Sequence, residues 1–300
     1  RMSSLPRRAA SRLLTAAAKA RAKVVLVGDF EQLQGIEAGA AFRAIADRHG
    51  KAEITTVRRQ LESWQRRATK DLATGHTGRA LNAYARVGMV EAHATREDAG
   101  AALIDQWANA RRVMPGKSRI ILAYTRDDVA KLNDQARAKL RANGELGRDE
   151  KVKTERGARH FASGDRLMFL KNDRQMGVKN GTLATVERVG NGSMTVRLDG
   201  EQGNRVSFDL QEYAHIDHGY AATVHKAQGV TVDRAHILAS PHMDRHAAYV
   251  AMTRHRDGMA LHYGRDDFRS DRQLAWFLGR DRAKDTTLDY QASLVAGDGE

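Results

Sequence analysis

Short apolar runs that alternate with helix-forming segments constrain the fold of this chain more than any other feature of its sequence. Residues 24–27 and 120–123 read Val-Val-Leu-Val and Ile-Ile-Leu-Ala. Uninterrupted apolar runs of this length are typical of strands buried on both faces of a sheet. Because helical segments separate them along the chain, the sequence predicts an α/β fold with a parallel sheet.

The same reasoning places the other elements of the α/β part. Residues 1–23 are Ala-rich and favour a helix before the first strand, although an Arg-rich segment without acids also resembles an organellar transit peptide. Further strands are expected at residues 53–57, 235–239 and 258–263, and further helices at about 40–49, 61–74, 77–87, 96–112, 127–142, 221–228, 244–254 and 266–278.

Residues 152–213 interrupt this alternation with short β-like segments. Hairpin signals separate the segments: Asn180-Gly181, Asn191-Gly192 and Asp199-Gly200. Such dipeptides supply the positive φ that tight hairpins need. The clearest strands are expected at residues 166–170, 182–189 and 194–198. We therefore expect a small all-β module inserted in the α/β part, and a polar tail at residues 279–300.

Charge and cysteine content narrow the class of function. The 300 residues include 50 Lys and Arg against 37 Asp and Glu, a formal net charge of +13, which favours an acidic partner, most simply nucleic acid. The absence of cysteine excludes disulfides, thiolate catalysis, iron–sulfur clusters and Cys-type zinc sites. No apolar run approaches the ~18 residues that a membrane span needs.

Two partial matches to known motifs do not support a function. Gly116-Lys117-Ser118 resembles the end of a phosphate-binding P-loop, but Arg111 stands where that loop needs its first glycine. The expected strand also follows this segment instead of preceding it. His242 and His246 have a zinc-ligand spacing, yet Met243 replaces the glutamate of the metalloprotease pattern. A solvated or structural histidine pair is the better interpretation.

Residues 24–39 are the first of three segments suited to phosphate chemistry. The expected strand delivers Gly28 and Asp29 to its carboxyl end, where α/β sheets place ligands. Glycine allows a close backbone approach. A carboxylate there can order a metal-bound water, and the amide of Gln32 can sense a phosphate oxygen. An ordinary strand followed by a capped helix is the alternative.

The second and third segments lie near the end of the chain. Residues 220–232 place hydroxyl, imidazole and ammonium groups on one expected short helix, and such groups suit phosphate contacts. They belong to Thr223, His225, Lys226 and Gln228, just before Gly229. In residues 248–262 a helix ends at Arg254, and a turn at Asp257-Gly258 is expected to start a strand. An arginine there can stabilise a transferring phosphoryl group, although helix dipoles also favour basic residues at this end.

Together and in this order, the three segments resemble motifs III, V and VI of superfamily 1 helicases. The matching residues are Gly-Asp-x-x-Gln-Leu at 28–33, Thr-x-His-Lys-x-Gln-Gly at 223–229 and Tyr-Val-Ala-x-Thr-Arg at 249–254. The pattern is most similar to the RecD-like branch, and within it to the helicase part of TraA-type conjugative transfer relaxases. The resemblance covers about residues 5–265 and implies RecA-like P-loop NTPase domains.

The resemblance implies roles for single residues of a motor that uses ATP and Mg²⁺. Asp29 and Gln32 would couple the γ-phosphate to DNA. Arg59, in the Arg-Gln pair that matches motif IV, and Arg254 would stabilise charge. Residues implied to lie near the nucleotide are Gly28, Gln228 and Gly229. Residues implied to contact single-stranded DNA are Thr125, Thr223, His225 and Lys226 and, in the β module, Lys171, Arg174 and Lys179.

The resemblance also implies a domain organisation. Residues 1–56 correspond to the C-terminal part of a first RecA-like motor domain, and residues 57–151 and 214–278 to a second one. Residues 152–213 resemble the Src-homology-3-like barrel inserted in it. The Walker A and B motifs and the N-terminal relaxase domain would lie upstream in the intact, cytoplasmic protein. Phe30 and Gly35 replace prolines common in motif III, which is expected to loosen that loop.

The chain is therefore interpreted as the C-terminal part of an ATP-dependent helicase that moves on single-stranded plasmid DNA. Alone, it is expected to bind DNA weakly without hydrolysing ATP. The alternatives are a fragment of a RecD-like repair helicase, a non-catalytic DNA-binding module and an inert gene fragment. Gln32, Arg59 and Arg254 argue against the binding module, because only ATP chemistry requires them.

Overall fold

The computed structural model describes residues 7–29, 45–46, 48–52, 56–199 and 203–281. A five-stranded parallel sheet forms the centre of the α/β part. Its strands are β1 (Val90–His93), β2 (Arg119–Ala123), β10 (Ala221–Thr223), β11 (Val232–Leu238) and β12 (His255–Gly264). They lie in the order β1-β12-β11-β2-β10. The expected parallel α/β sheet is therefore confirmed.

Helices cover both faces of this sheet. On one face lie α2 (Ser63–Ala73), α3 (Thr77–Ala85), α6 (Arg245–Met252) and α7 (Asp271–Gly279), and on the other lie α4 (Arg96–Val113) and α5 (Arg126–Ala142). A further helix, α1 (Arg7–Lys19), precedes them in the chain. Among the helices that the structure describes, none combines the length and the apolar character that a membrane crossing requires.

Local sequence determines where several of these helices begin. Thr95 caps α4 in a capping box, in which its hydroxyl accepts from the Asp98 N–H and the Asp98 carboxylate accepts from the Thr95 N–H. Thr125 caps α5, and Ser270 caps α7, through the same kind of hydroxyl contact. These caps satisfy backbone donors that lack a partner inside the helix.

The inserted segment forms two antiparallel sheets. One is the hairpin of β3 (Glu150–Thr154) and β4 (Gly157–Phe161). The other contains β5 (Arg166–Phe169), β6 (Leu183–Gly190), β7 (Ser193–Leu198), β8 (Arg205–Asp209) and β9 (Ile216–His218), in the order β8-β7-β6-β5-β9. Because β8 and β9 are its two edges in the described part of the chain, the expected barrel is not confirmed.

Asp165 joins this antiparallel sheet to the α/β part. Its carboxylate is fully buried and accepts hydrogen bonds from the Tyr220 hydroxyl, the Arg137 guanidinium and the backbone N–H of Ala162. Arg137 belongs to α5, and Tyr220 leads directly into β10. Several donors thus compensate the buried carboxylate, and they hold the start of β10 against the β part.

Residues 24–27 do not form the buried strand that their composition predicts. No strand is formed over residues 22–29, and Val25 and Val27 are 71% and 72% exposed. A strand needs a neighbouring backbone for its N–H and C=O groups, and no strand among the described residues pairs with this run. Apolar composition cannot supply that partner.

Two other sequence expectations near the N-terminus lie largely outside the described residues. Of the expected helix at 40–49, only 45–46 and 48–49 are described, and they are helical. Of the expected strand at 53–57, only residues 56 and 57 are described, and they are not in a strand. Phe30, Gln32 and Gly35 also lie outside the described residues.

Residues 221–228 form a strand and a turn, so the prediction of a helix was wrong. Residues 221–223 pair with β2 as an added edge strand, and turns follow to residue 229. Pairing with the exposed edge of a neighbouring strand overrides weak local helix propensity. Strand β1 was missed for a similar reason, because only its pairing with β12 distinguishes it from a loop.

The expected turn at Asp257-Gly258 was also wrong, because both residues lie inside β12. The register between β11 and β12 shifts there, since Val232 pairs with His255 but Arg234 pairs with Gly258. The Asp-Gly signal thus marks a β-bulge.

Candidate functional site

Strands β2 and β10 end side by side at the carboxyl edge of the central sheet. Thr223 is paired with Ala123, so the residues that follow each strand emerge together. The hydroxyl oxygen of Thr223 accepts from the backbone N–H of Lys226 at 3.3 Å. That contact starts the turn in which His225 and Lys226 lie.

A cavity of about 690 Å³ opens at this edge, between the α/β part and the β3–β4 hairpin. Three residues predicted to contact DNA line it, namely Thr223, His225 and Lys226. Three arginines that the sequence analysis missed also line it: Arg126, Arg156 and Arg159. Arg126 could have been found from the sequence, because it lies directly after Thr125 in the loop that follows the predicted strand at residues 120–123. The arginines of the hairpin could not, since only the fold brings them here.

The electrostatics around Lys226 favour an anion. Burial lowers the pKa of the Lys226 ammonium below its ordinary value, and the positive charges of Arg156 and Arg126 lower it further against the raising effect of Asp217. The cavity lining includes four cationic side chains and three carboxylates. One of those carboxylates, Asp217, is engaged by Arg156 at 3.1 Å and by Arg159 at 3.6 Å. A phosphate near Lys226 would relieve this local excess of positive charge.

The other predicted DNA contacts lie elsewhere. Thr125 caps α5, and its hydroxyl contacts both the backbone N–H and the carboxylate of Asp128. Lys171, Arg174 and Lys179 are exposed in the segment between β5 and β6 and are not among the residues that line the cavity. Their contact with DNA stays a prediction.

A second group of predicted residues meets at the start of β12. The Arg59 guanidinium donates from Nη1 to the carbonyl of Thr253 at 2.7 Å and from Nε to the Thr231 hydroxyl at 3.0 Å. The buried Gln60 donates from Nε2 to the carbonyls of Thr253 and His255, at 3.2 and 3.0 Å. Hydrogen bonds therefore hold Arg59 and Gln60 against the backbone of residues 253–255.

Arg254 is held inside this group, with only 1% of its surface exposed. Its Nε donates to the Val250 carbonyl at 2.8 Å, and its Nη2 donates to the Thr253 hydroxyl at 3.2 Å. Arg59 and Arg254 thus share Thr253 as a common contact. The structure brings together two arginines that are 195 positions apart, from 59 to 254.

Asp29 is connected to the residues around Thr253 through Tyr249. The Tyr249 hydroxyl donates to Oδ2 of Asp29 at 3.2 Å. Burial, with the negative charge of Asp29 and this hydrogen bond, raises the pKa of Tyr249 to about 12. Gly28 directly precedes Asp29. Motif III and motif VI residues are therefore in contact.

The turn after β10 connects the two groups. It runs from Thr223 at the cavity to Gly229, whose φ of 90° is the left-handed conformation that glycine adopts without strain. Gln228 donates its N–H to the His225 carbonyl at 3.3 Å within it. Two residues beyond Gly229, Thr231 contacts Arg59. One short stretch thus touches the cavity at one end and the arginine pair at the other.

Comparisons with known proteins place this chain among similar sequences and folds. A family model for an AAA domain matches residues 2–95, and a model for the viral superfamily 1 RNA helicase core domain matches residues 172–262. The chain is 46% identical over 277 residues to the conjugal transfer protein TraA of Agrobacterium fabrum, which covers 92% of this chain and 25% of that protein. It is 28% identical over 262 residues to the ATP-dependent RecD2 DNA helicase of Deinococcus radiodurans, covering 81% and 33%.

Among solved structures, the Pif1 helicase from Bacteroides in complex with ADP-AlF3 and single-stranded DNA has a TM-score of 0.56 and 19% identity, over 92% of this chain and 68% of that one. This likeness shows a shared fold. The sheet, the motif residues at its edge and these similarities define the class, and the chain belongs to the superfamily 1 helicases. Within that superfamily it is of the TraA type, and it spans about a quarter of the length of the TraA proteins it matches.

Proposed function

We propose that the chain is part of an ATP-dependent DNA helicase of a conjugative relaxase. It couples ATP hydrolysis to movement along single-stranded DNA and to the unwinding of plasmid strands. The observation that carries this proposal is the stretch from Thr223 to Thr231, which joins the cavity to Arg59. The cavity and Arg59 thus contact one short, continuous backbone segment.

The residues around Thr253 suit the nucleotide side of such a motor. Bound with Mg²⁺, ATP supplies the phosphoryl group whose transfer releases energy. Arg59 would stabilise charge on that group, and the buried guanidinium of Arg254 would do so once it becomes accessible. Asp29 and Gln32 would relate the γ-phosphate to the DNA side, and Gly28, Gln228 and Gly229 would lie near the nucleotide. The chain has no Gly-x-x-x-x-Gly-Lys-Ser/Thr loop, so another part of the intact protein holds the phosphates.

The cavity at β10 suits the DNA side. Thr223 and His225 offer polar groups to backbone phosphates, and Lys226 with the neighbouring arginines offers charge. The greater identity to TraA than to RecD2 favours a conjugative protein over a repair helicase. Its partners are then plasmid single strands and the relaxase domain of the same protein, in the cytoplasm where ATP is present.

The test uses the intact protein and the variant Arg254→Ala. DNA-stimulated ATPase activity should fall by about 100-fold or more, because a charge-stabilising arginine is lost. Affinity for single-stranded DNA should stay within about twofold. Arg112→Ala is the control, since Arg112 is exposed at the end of α4 and contacts Asn109. Normal turnover in Arg254→Ala would remove the proposed role of this arginine.

A further inference from the structure

Glu91, His93 and His262 form a compact group at one edge of the central sheet. Glu91 and His93 are two residues apart on β1, so their side chains lie on the same face. Glu91 pairs with His262 of β12 in the parallel register. One ligand atom from each of the three side chains lies within 4.8 Å of the others. His262 is fully buried and the other two are half-buried.

Gln106 of α4 orients two members of this group. His262 donates from Nε2 to the side-chain oxygen Oε1 of Gln106 at 3.0 Å, so its Nδ1 carries a lone pair. That lone pair faces His93 Nε2 at 3.1 Å. The Gln106 amide also donates to Oε1 of Glu91 at 2.9 Å. Metal-binding histidines and carboxylates are typically held by outer hydrogen bonds of this kind.

The spacing of the two ring nitrogens matches that of ligands around a tetrahedral ion. With zinc–nitrogen bonds of about 2.0–2.1 Å, two nitrogen ligands lie about 3.4 Å apart, close to the 3.1 Å between His93 Nε2 and His262 Nδ1. We propose that Glu91, His93 and His262 bind a divalent transition ion of the zinc class, with a water molecule as fourth ligand. The ion takes the place of the hydrogen between the rings, and His93 then carries its hydrogen on Nδ1.

The site is distant in the sheet from the cavity at β10. Strands β1 and β10 are the two opposite edges of the sheet. An ion bound by β1 and β12, beneath α4, fastens the short edge strand β1 to its neighbour. Its role is therefore structural, and the proposal is independent of the helicase activity.

The test measures binding of Zn²⁺ alone to the full 300-residue chain by isothermal titration calorimetry, with unfolding followed by circular dichroism. We expect one tightly bound ion per chain and a higher Tm with Zn²⁺ than without it. His93→Gln and Glu91→Gln should each weaken binding by about 100-fold or more and lose the Tm increase. Gln106→Ala should weaken binding by about 10–100-fold, since it frees both ligands to rotate.

His76→Gln is the matched control, because His76 is exposed in the turn before α3. It should bind Zn²⁺ as the wild type does. His93→Gln changes a half-buried residue at the sheet edge, so its far-ultraviolet spectrum without metal should match that of the wild type. Absence of tight Zn²⁺ binding in the wild-type chain would overturn the proposal. So would equal binding in folded His93→Gln and Glu91→Gln.

Discussion

The Tyr249 hydroxyl donates a hydrogen bond to Oδ2 of Asp29 across 3.2 Å and 220 positions of sequence. Tyr249 lies on α6, whose buried face packs on the central sheet. Asp29 follows residues 24–27, which pair with no strand among the described residues. The contact therefore fastens a segment that lacks sheet hydrogen bonds to a rigid helix.

Tyr249→Phe should loosen the segment that contains Asp29. The ring stays in place and only the hydroxyl is lost, so about 1 kcal/mol of hydrogen-bond stabilisation disappears. Hydrogen exchange of residues 24–29, followed by mass spectrometry, should become about fivefold faster, while exchange in β11 stays unchanged. Tyr263→Phe is the control, because it removes another tyrosine–aspartate hydrogen bond, to Asp271. Unchanged exchange at residues 24–29 would show that this contact does not hold the segment.

Lys226→Gln should weaken binding of single-stranded DNA to the chain. Lys226 lines the cavity among other positive charges, and the loss of one phosphate contact should reduce the slope of log affinity against log salt by about 0.7. Fluorescence anisotropy of a labelled oligonucleotide at several salt concentrations measures both affinity and slope. Lys139→Gln serves as control, since Lys139 pairs with Asp105 of α4 and does not line the cavity. An unaltered slope in Lys226→Gln would place the DNA elsewhere.

The same assay distinguishes the contribution of the cavity to DNA binding from that of the exposed segment between β5 and β6. If the loop guides the strand, the triple variant Lys171→Gln, Arg174→Gln and Lys179→Gln should weaken binding in addition to Lys226→Gln. None of the three loop side chains lines the cavity, so their loss should weaken binding beyond the effect of Lys226→Gln alone. A triple variant with wild-type affinity would limit the DNA contacts to the cavity.

Gly219→Ala should destabilise the chain by about 2–3 kcal/mol. A Cβ there would lie 2.6 Å from the backbone carbon of Leu167 and 2.7 Å from its oxygen. Because these are backbone atoms of β5, neither can move without disturbing a strand. Urea unfolding should show a lower midpoint. Gly116→Ala is the matched control, since a Cβ there meets nothing within 4 Å; equal stability of the two variants would contradict this account.

Stability should fall as the pH is lowered through the weakly acidic range. Burial lowers the pKa of His255 to about 4, and the charges of Arg59 and Arg234 act in the same direction against the raising effects of Met252 and Asp257. In the unfolded chain the His255 imidazole takes up a proton near pH 6.5, whereas in the folded chain it does so only near pH 4. The contribution of His255 is therefore fully present above 6.5 and is lost progressively below it.

Urea unfolding at pH 7 and pH 5 checks this pH dependence. Over that interval the wild type should lose about 2 kcal/mol more stability than His255→Gln, which has no imidazole to protonate. His76→Gln, at an exposed position, should lose as much stability as the wild type. Parallel losses in the wild type and His255→Gln would remove His255 as a source of acid sensitivity.

The candidate site could be predicted in part. The sequence order of motif residues was sufficient to expect that Arg59 and Arg254 serve one site, and both contact Thr253 in the structure. The roles of these residues and the domain limits stay predictions. Arg156 and Arg159 could not be predicted as part of the cavity, because they lie on a hairpin whose position depends on distant contacts such as that between Asp165 and Tyr220.

By itself the sequence determined the α/β architecture and most helices, because burial on both faces demands uninterrupted apolar strands and caps mark where helices begin. Only the tertiary structure decided which short segments became strands. Residues 221–223 joined the sheet because β2 offered them an edge, whereas the more apolar residues 24–27 found no partner among the described strands. Pairing satisfies the backbone groups of two strands at once. The composition of one segment therefore cannot decide whether that segment becomes a strand. The meeting of His93 with His262 follows from the same pairing of β1 with β12.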